Sequence, residues 1–343
     1  MLILVTGGAG YIGSHTCVEL LKAGYEVVVI DNLCNSCEKA IQRVEAIAGK
    51  KIKFVRGDVC NEFEVEAVFN RFNDIQAVIH FAGLKAVAES VSRPLEYYIN
   101  NLVSTLILLR AMKNHNVKNF VFSSSATVYG NPASVPIREN ASTGGTTNPY
   151  GTTKLFQEQI IVDCCKAYPE LNVAVLRYFN PIGAHESGLI GEDPNGIPNN
   201  LLPYISQVAA GRLEKLHVYG NDYPTHDGTG IRDYIHVVDL AKGHVAALRK
   251  LDTNCGMFVC NLGTGKGYSV FDVLHMYEKV SGRKIPYVID PRRPGDVAEC
   301  YADPQKAKDE LGWSAQYDLE EMCASSWKWQ SMNLNGYKEN LLD

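Results

Sequence analysis

The chain has 343 residues, 46% hydrophobic and 21% charged, the makeup of a globular protein of about two domains at roughly 150 residues each. A net charge of −5 and a pI near 6.0 exclude the basic face that nucleic acid demands, and no apolar run approaches the ~20 residues of a membrane span. Ten cysteines are scattered without a secretory leader, so reduced thiols and a cytoplasmic setting are expected, with no metal site.

The first apolar run, Leu2–Thr6, predicts a buried strand, and a helix follows over 12–23, ending at Gly24, a C-cap glycine. Between them lie Gly7, Gly10 and Gly13. Gly7 permits a tight turn, Gly10 lets backbone approach a pyrophosphate, and Gly13 lets helix and strand pack closely, so a phosphate rests on the helix N-terminus. The second strand, Glu26–Asp31, ends on an acid eighteen residues after Gly13. Asp31 suits both hydroxyls of an adenosine ribose and repels a 2′-phosphate, and no arginine stands beside it, which selects NAD over NADP. Cys34-Asn35-Ser36-Cys37 has redox spacing but no second pair, and reads as two ordinary thiols in a cofactor loop.

A third strand over 52–57 leads to Asp58, a candidate for the adenine amino group or for a plain helix cap. A fourth is expected over 77–81. Helix 95–112 carries Leu95, Tyr98, Ile99, Leu102, Leu106 and Leu109 on one side, with Val103, Ile107 and Leu108 beside them, and helix 151–167 is similarly broad. An apolar stripe wider than about 100° predicts burial on two sides, which favours a symmetric homodimer through these helices. Strands at 120–124 and 173–178 complete a βαβ alternation whose members are apolar on both faces. The expected fold is α/β, a doubly wound parallel (Rossmann) sheet with a smaller mixed α/β C-terminal substrate domain.

After Tyr178 the rhythm breaks. Segments 183–200 and 219–230 are rich in Gly, Pro, Asn and Asp and read as functional loops. A helix over 236–250, a strand over 257–261, and helices at Val270–Ser281 and 319–330 follow. The expected division gives residues 1–179, with a return near 235–262, to the NAD-binding domain. Residues 180–234 and 263–343 are expected to form the substrate-binding domain.

Tyr150-Gly151-Thr152-Thr153-Lys154 stands at a helix start marked by Pro149. Tyr150 and Lys154, four apart, share one helix face. A free phenol has a pKa of about 10, and a nearby ammonium and a positive nicotinamide ring both stabilise its phenolate. Such a tyrosine can take a proton from a sugar hydroxyl as hydride leaves the same carbon. The Tyr-x-x-x-Lys spacing alone is common by chance; its place downstream of a dinucleotide loop gives it weight. An NAD-sensing regulator without catalysis needs neither residue.

With these residues in view, the chain resembles the extended short-chain dehydrogenase/reductase family and, within it, the UDP-galactose 4-epimerases, from about Leu4 to about Trp329. The most specific blocks lie at 7–13, 80–87, 123–130, 177–181, 196–201 and 220–239. Thr152-Thr153 departs from the Lys-Ser of many members but leaves Tyr150 and Lys154 in place. The resemblance implies Ser125 as a catalytic partner on the sugar oxygen held by Tyr150, with Lys154 also on the nicotinamide ribose. It implies NAD contacts at Gly7, Gly10, Tyr11, Ile12, Gly13, Asp31, Asn32, Asn35, Ser36, Asp58, Val59, Phe81, Ala82, Gly83, Lys85, Asn100 and Phe179. For a UDP-hexose it implies Lys85, Asn180, Asn200, Leu201, His217, Tyr219, Arg232, Tyr234, Arg293 and Asp296, the arginines being suited to phosphate.

Dehydratases on this scaffold carry an Asp-Glu pair where this chain has Ala126 and Thr127, and decarboxylases usually keep a Glu there. The resemblance therefore implies oxidation at C4 and re-reduction on the opposite face, without elimination. Cys300 stands where some members have a tyrosine against the sugar, so the 2-N-acetyl sugars UDP-GlcNAc and UDP-GalNAc are expected substrates as well. Tyr301 reaching into the same space would remove that expectation.

Overall fold

The computed structural model describes residues 1–293 and 295–338; the last five residues of the expected 263–343 segment lie outside them. The chain first runs β1 (Leu2–Thr6), α1 (Tyr11–Lys22), β2 (Glu26–Asp31), α2 (Glu38–Ala48), β3 (Lys53–Arg56), α3 (Glu62–Arg71) and β4 (Ile75–His80). Then come α4 (Val87–Ser92), α5 (Pro94–Asn114), β5 (Asn119–Ser125), α6 (Pro149–Ala167) and β6 (Asn172–Tyr178).

The remainder is β7 (Asn180–Ile182), α7 (Leu201–Ala209), β8 (Leu216–Tyr219), β9 (Ile231–His236), α8 (Val237–Leu251) and β10 (Met257–Leu262). It closes with β11 (Gly267–Ser269), α9 (Val270–Ser281), β12 (Tyr287–Asp290), β13 (Glu299–Cys300), α10 (Gln305–Leu311) and α11 (Leu319–Met332). None of the described helices is long and apolar enough to cross a membrane.

Seven strands form one sheet in the order β10-β6-β5-β4-β1-β2-β3, every neighbouring pair parallel. The period of two sends alternate residues to opposite faces. Ile3 and Val5 join the core formed with Val18, Leu21, Leu240 and Leu248 of α1 and α8. Leu2 and Leu4 join the opposite core with Val68, Leu108, Met112 and Ile161 of α3, α5 and α6. Both faces are thus dry, which explains why the strands lack polar alternation. The strand order reverses between β1 and β4, and the crevice at that switch, at the carboxyl ends of the strands, is where ligands bind in such sheets.

The expected strands match within two residues at each end. Helix α6 begins two residues earlier than the expected 151, because Asn148 caps it (its Oδ1 accepts Gly151 N–H at 2.8 Å) with Pro149 in its first turn. β10 returns to extend the sheet beside β6. The short strands β7, β11 and β13 all pair with β9 to build a second sheet, and β8 pairs with β12. A third core of α7, α9 and α11, including Leu202, Ile205, Leu274, Tyr277 and Met322, backs these strands.

Candidate active site

The glycine turn is built as its residues predict. Gly7 adopts a positive φ of 69°, and a Cβ on it would lie 2.8 Å from Ala82 N. A Cβ on Gly13 would lie 2.2 Å from the Gly7 carbonyl. Gly10 is the N-cap of α1 and supplies no side-chain acceptor, so the first amides of α1, from Tyr11, Ile12 and Gly13, keep the helix N-terminus as an anion cradle. Asp31 is buried; its Oδ2 accepts Ala9 N–H at 3.0 Å, and its Oδ1 accepts Leu33 N–H at 2.9 Å and the Ser36 hydroxyl at 2.7 Å. Of roughly four acceptor positions on a carboxylate, three are used internally. The Ser36 hydroxyl is the freely rotating donor a ribose hydroxyl would replace. The residues present therefore fit an adenosine ribose and a pyrophosphate.

Asp58 accepts Asn32 Nδ2 at 3.1 Å and Cys60 N–H at 2.8 Å. Asn61, not Asp58, caps α3, which leaves Asp58 at the sheet edge next to buried Val59 and to Asn32. Asn35 is exposed in the same loop. On the nicotinamide side, the hydroxyl of Thr6 meets His80 Nδ1 at 2.7 Å and accepts Ala82 N–H at 3.2 Å. Burial lowers His80 to a pKa of about 3, so it is a neutral strut that fixes the Phe81–Ala82–Gly83 turn. Asn100 donates to Asn101 Oδ1 at 3.0 Å.

Buried Asn101, which sequence reasoning passed over for its neighbour, takes Leu84 N–H at 2.8 Å. It also donates to Leu84 O at 3.0 Å and to Thr153 Oγ1 at 2.9 Å. It joins α5, α6 and the loop after β4. Nothing in its local sequence marks it, since its partners lie 17 and 52 positions away.

Ser125, Tyr150 and Lys154 converge at the end of β5 and the start of α6. Ser125 ends its strand in extended conformation and accepts Thr127 N–H at 3.3 Å, starting a 3₁₀ turn at Ala126–Tyr129. Tyr150 is buried, and burial raises its pKa while a hydrogen bond with Ser125 pulls it down. The expected lowering of Tyr150 by Lys154 is therefore not found: desolvation by burial outweighs the Ser125 hydrogen bond, and the net direction is upward. Lys154 is buried too, its ammonium donating to Ser123 O at 2.8 Å and lying 4.9 Å from the centre of the Phe122 ring. Burial lowers its pKa to about 8, opposed by Glu158. Phe179 and Cys300 pack with Ala126, Val128 and Tyr129 beside this group.

The residues expected to hold a UDP-sugar come together unevenly. Arg232, in β9, lies 3.6 Å from Asp296, and Arg293 lies over the Tyr219 ring at 3.9 Å. His217 Nδ1 meets Asp290 at 2.7 Å. Asn180 is exposed at the start of β7, and Leu201 opens α7. Asn200 donates to Glu192 Oε1 at 3.1 Å, and the same oxygen takes Lys85 Nζ at 3.1 Å. Glu192 had no sequence signal, and in this structure it draws Lys85 into an ion pair on the loop over 183–200. Tyr234 is 4% exposed in the core with Ile182, Leu202 and Val273. Its ring is set among apolar side chains.

A family model described as GDP-mannose 4,6 dehydratase matches residues 4–326. The UDP-glucose 4-epimerase of Bacillus subtilis is 63% identical, covering 98% of this chain and 99% of its own. The crystal structure of UDP-glucose 4-epimerase from Bifidobacterium longum in complex with NAD+ and UDP is 60% identical. It superposes with a TM-score of 0.96 over 98% of this chain and 100% of that one. The UDP-Glc/GlcNAc 4-epimerase of Campylobacter jejuni is 38% identical, with a TM-score of 0.84 over 96% and 99%. With this fold, glycine cradle and near-complete likeness, the chain belongs to the UDP-glucose 4-epimerase family.

Proposed function

We propose that the protein interconverts UDP-galactose and UDP-glucose with a tightly held NAD, and that Tyr150 is the acid–base. The observation that carries this reading is the convergence of the Ser125 hydroxyl, the Tyr150 phenol and the Lys154 ammonium beside the glycine cradle. No carboxylate stands at 126 or 127. NAD, which the Gly7–Gly13 turn and Asp31 would hold, would supply the hydride acceptor and donor for C4. Tyr150 takes the proton of the sugar O4, Ser125 holds that oxygen, and Lys154 stabilises the phenolate. The 4-keto sugar, tethered by UDP, turns over to present its other face, and Tyr150 returns the proton. Elimination of water needs a second acid and base at C6, and Ala126 and Thr127 offer neither.

The cofactor falls to 1–179 with the return near 235–262; the UDP-hexose falls to 180–234 and 263–343, through Arg232, Arg293, Asp296, Asn180, Asn200, Leu201, His217 and Tyr219. The exposed apolar faces of α5 and α6 support a homodimer, and the free cysteines support work in the reducing cytoplasm.

The sugar pocket supports a wider range. Cys300 packs toward Ala126 and Phe179, whereas the Tyr301 ring faces Gly267, where a Cβ would meet it at 3.2 Å. These different surroundings support the reading that Tyr301 leaves the space beside Cys300 open. One assay tests both claims: purified protein with each of UDP-Glc, UDP-Gal, UDP-GlcNAc and UDP-GalNAc, and no added NAD. We expect all four to be converted by wild type, and Cys300→Tyr to lose the acetylated pair by steric exclusion. Wild type inert on UDP-Gal and UDP-Glc would refute the activity. Wild type blind to both acetylated sugars, or Cys300→Tyr unchanged on all four, would refute the breadth.

A further inference from the structure

Beneath Ser125, Tyr150 and Lys154 lies a charge pair that this chemistry does not use. Glu158 of α6 and Arg177 of β6 are 5% and 7% exposed. Arg177 Nε donates to both Glu158 oxygens, at 3.0 and 3.2 Å, and its Nη2 donates to Oε2 at 2.6 Å. The Ser124 hydroxyl donates to Glu158 Oε1 at 2.5 Å. The remaining nitrogen, Nη1, reaches the Tyr129 hydroxyl at 3.2 Å and the Glu139 carbonyl at 3.3 Å.

An ion pair this deep is a poor way to gain stability, because apolar side chains of similar volume often do as well. Its position offers another reason. Glu158 follows Lys154 by one helical turn, which makes the two neighbours on α6. Ser124 precedes Ser125 and is the register partner of Arg177. The pair is thus wired to both strands and to the helix that carry the catalytic groups.

The surroundings of Lys154 explain what the wiring does. Tyr150 stands on its own helix. From β4 comes His80, neutral and linked to Thr6. From β6 come Arg177 and Tyr178, the latter's hydroxyl 2.6 Å from Ser123 Oγ. Of these groups and Glu158, only Glu158 brings negative charge at neutral pH, and it is what opposes the effect of burial on Lys154.

We propose that Glu158 is the positioning residue for Lys154: its carboxylate keeps the buried ammonium charged, and Arg177 with Ser124 holds that carboxylate in place. This rests on the acid–base reading above. The sign follows directly. Without the carboxylate, Lys154 loses its proton at lower pH, and a neutral amine no longer stabilises the Tyr150 phenolate.

The test is a titration of Lys154 itself, by ¹³C NMR of lysine-labelled protein with the signal assigned by Lys154→Arg. It is run with and without NAD, beside the pH profile of turnover. Glu158→Gln leaves Arg177 unpaired in the core, so Glu158→Gln/Arg177→Met carries the test if the single variant does not fold. We expect the Lys154 midpoint to fall by about one pH unit, the alkaline limb of activity to fall with it, and Glu158→Asp to recover most of both. A midpoint that is the same in Arg177→Met and in the folded double variant would overturn the proposal. A midpoint that moves while the activity profile stays fixed would uphold Glu158's hold on Lys154 and overturn the role of Lys154 in stabilising the Tyr150 phenolate instead.

Discussion

The proposed acid–base role puts Tyr150 under two opposed demands. It must be dry enough to exclude water from a reactive keto sugar, yet acidic enough to give up its proton near neutral pH. Burial raises its pKa, and the Ser125 hydrogen bond recovers only part of that; the rest of the proposed stabilisation comes from positive charge placed against the ring. Removing the phenolic oxygen while keeping the ring isolates this function. We expect Tyr150→Phe to cut kcat about 10²–10⁴-fold while the melting temperature and UDP binding stay near wild type, checked by calorimetry and UDP titration. Near wild-type kcat in this variant would contradict the assignment. The trio of Ser125, Tyr150 and Lys154 was legible because its spacing is local or family-specific. Asn101, Glu158, Arg177 and Glu192 were not, for a physical reason. Glu158 reads as one more helix-surface acid at i+4, and what makes it special is a strand arginine 19 positions away whose register cannot be read from the helix.

At the scale of elements, α5 and α6 have more apolar surface than the sheet can cover. Leu108 and Met112 of α5 and Ile161 of α6 enter the core, while Leu95, Ile99, Leu106 and Phe156 remain 71, 62, 50 and 46% exposed. Exposed apolar surface of this kind supports the proposed homodimer, in which four such helices from two copies would form a closed two-fold interface. We expect the protein to sediment at twice its 37.9 kDa chain mass. Leu106→Glu, which buries a charge only if the dimer forms, should shift it to the monomer with its circular dichroism intact. Wild-type protein that sediments as a monomer at assay concentrations would rule this out. The width of the stripes carried this expectation from the sequence. The start of α6 was legible as well, because Pro149 in its first turn is an ordinary start signal.

Across the whole molecule, most of the seven-stranded sheet could be read from alternation because β1 to β5 are each followed by a helix, whereas β6 leads into β7 and β10 into β11. The second sheet could not. β7, β11 and β13 have three, three and two residues, too few to show a period, and β9 is paired by segments from 180, 267 and 299 onward. Yet that sheet sets Cys300 against Arg232 in register, and so ties a proposed phosphate ligand to the sugar pocket. The proposed turnover of the keto sugar needs a cofactor held firmly and a sugar held lightly enough to turn. Its central claim is that hydride leaves and returns to the same carbon without meeting water. UDP-galactose carrying deuterium at C4, converted by the purified protein in ordinary water, should yield UDP-glucose that retains the C4 label, read by mass spectrometry and proton NMR. Loss of that label to solvent during turnover would contradict the account.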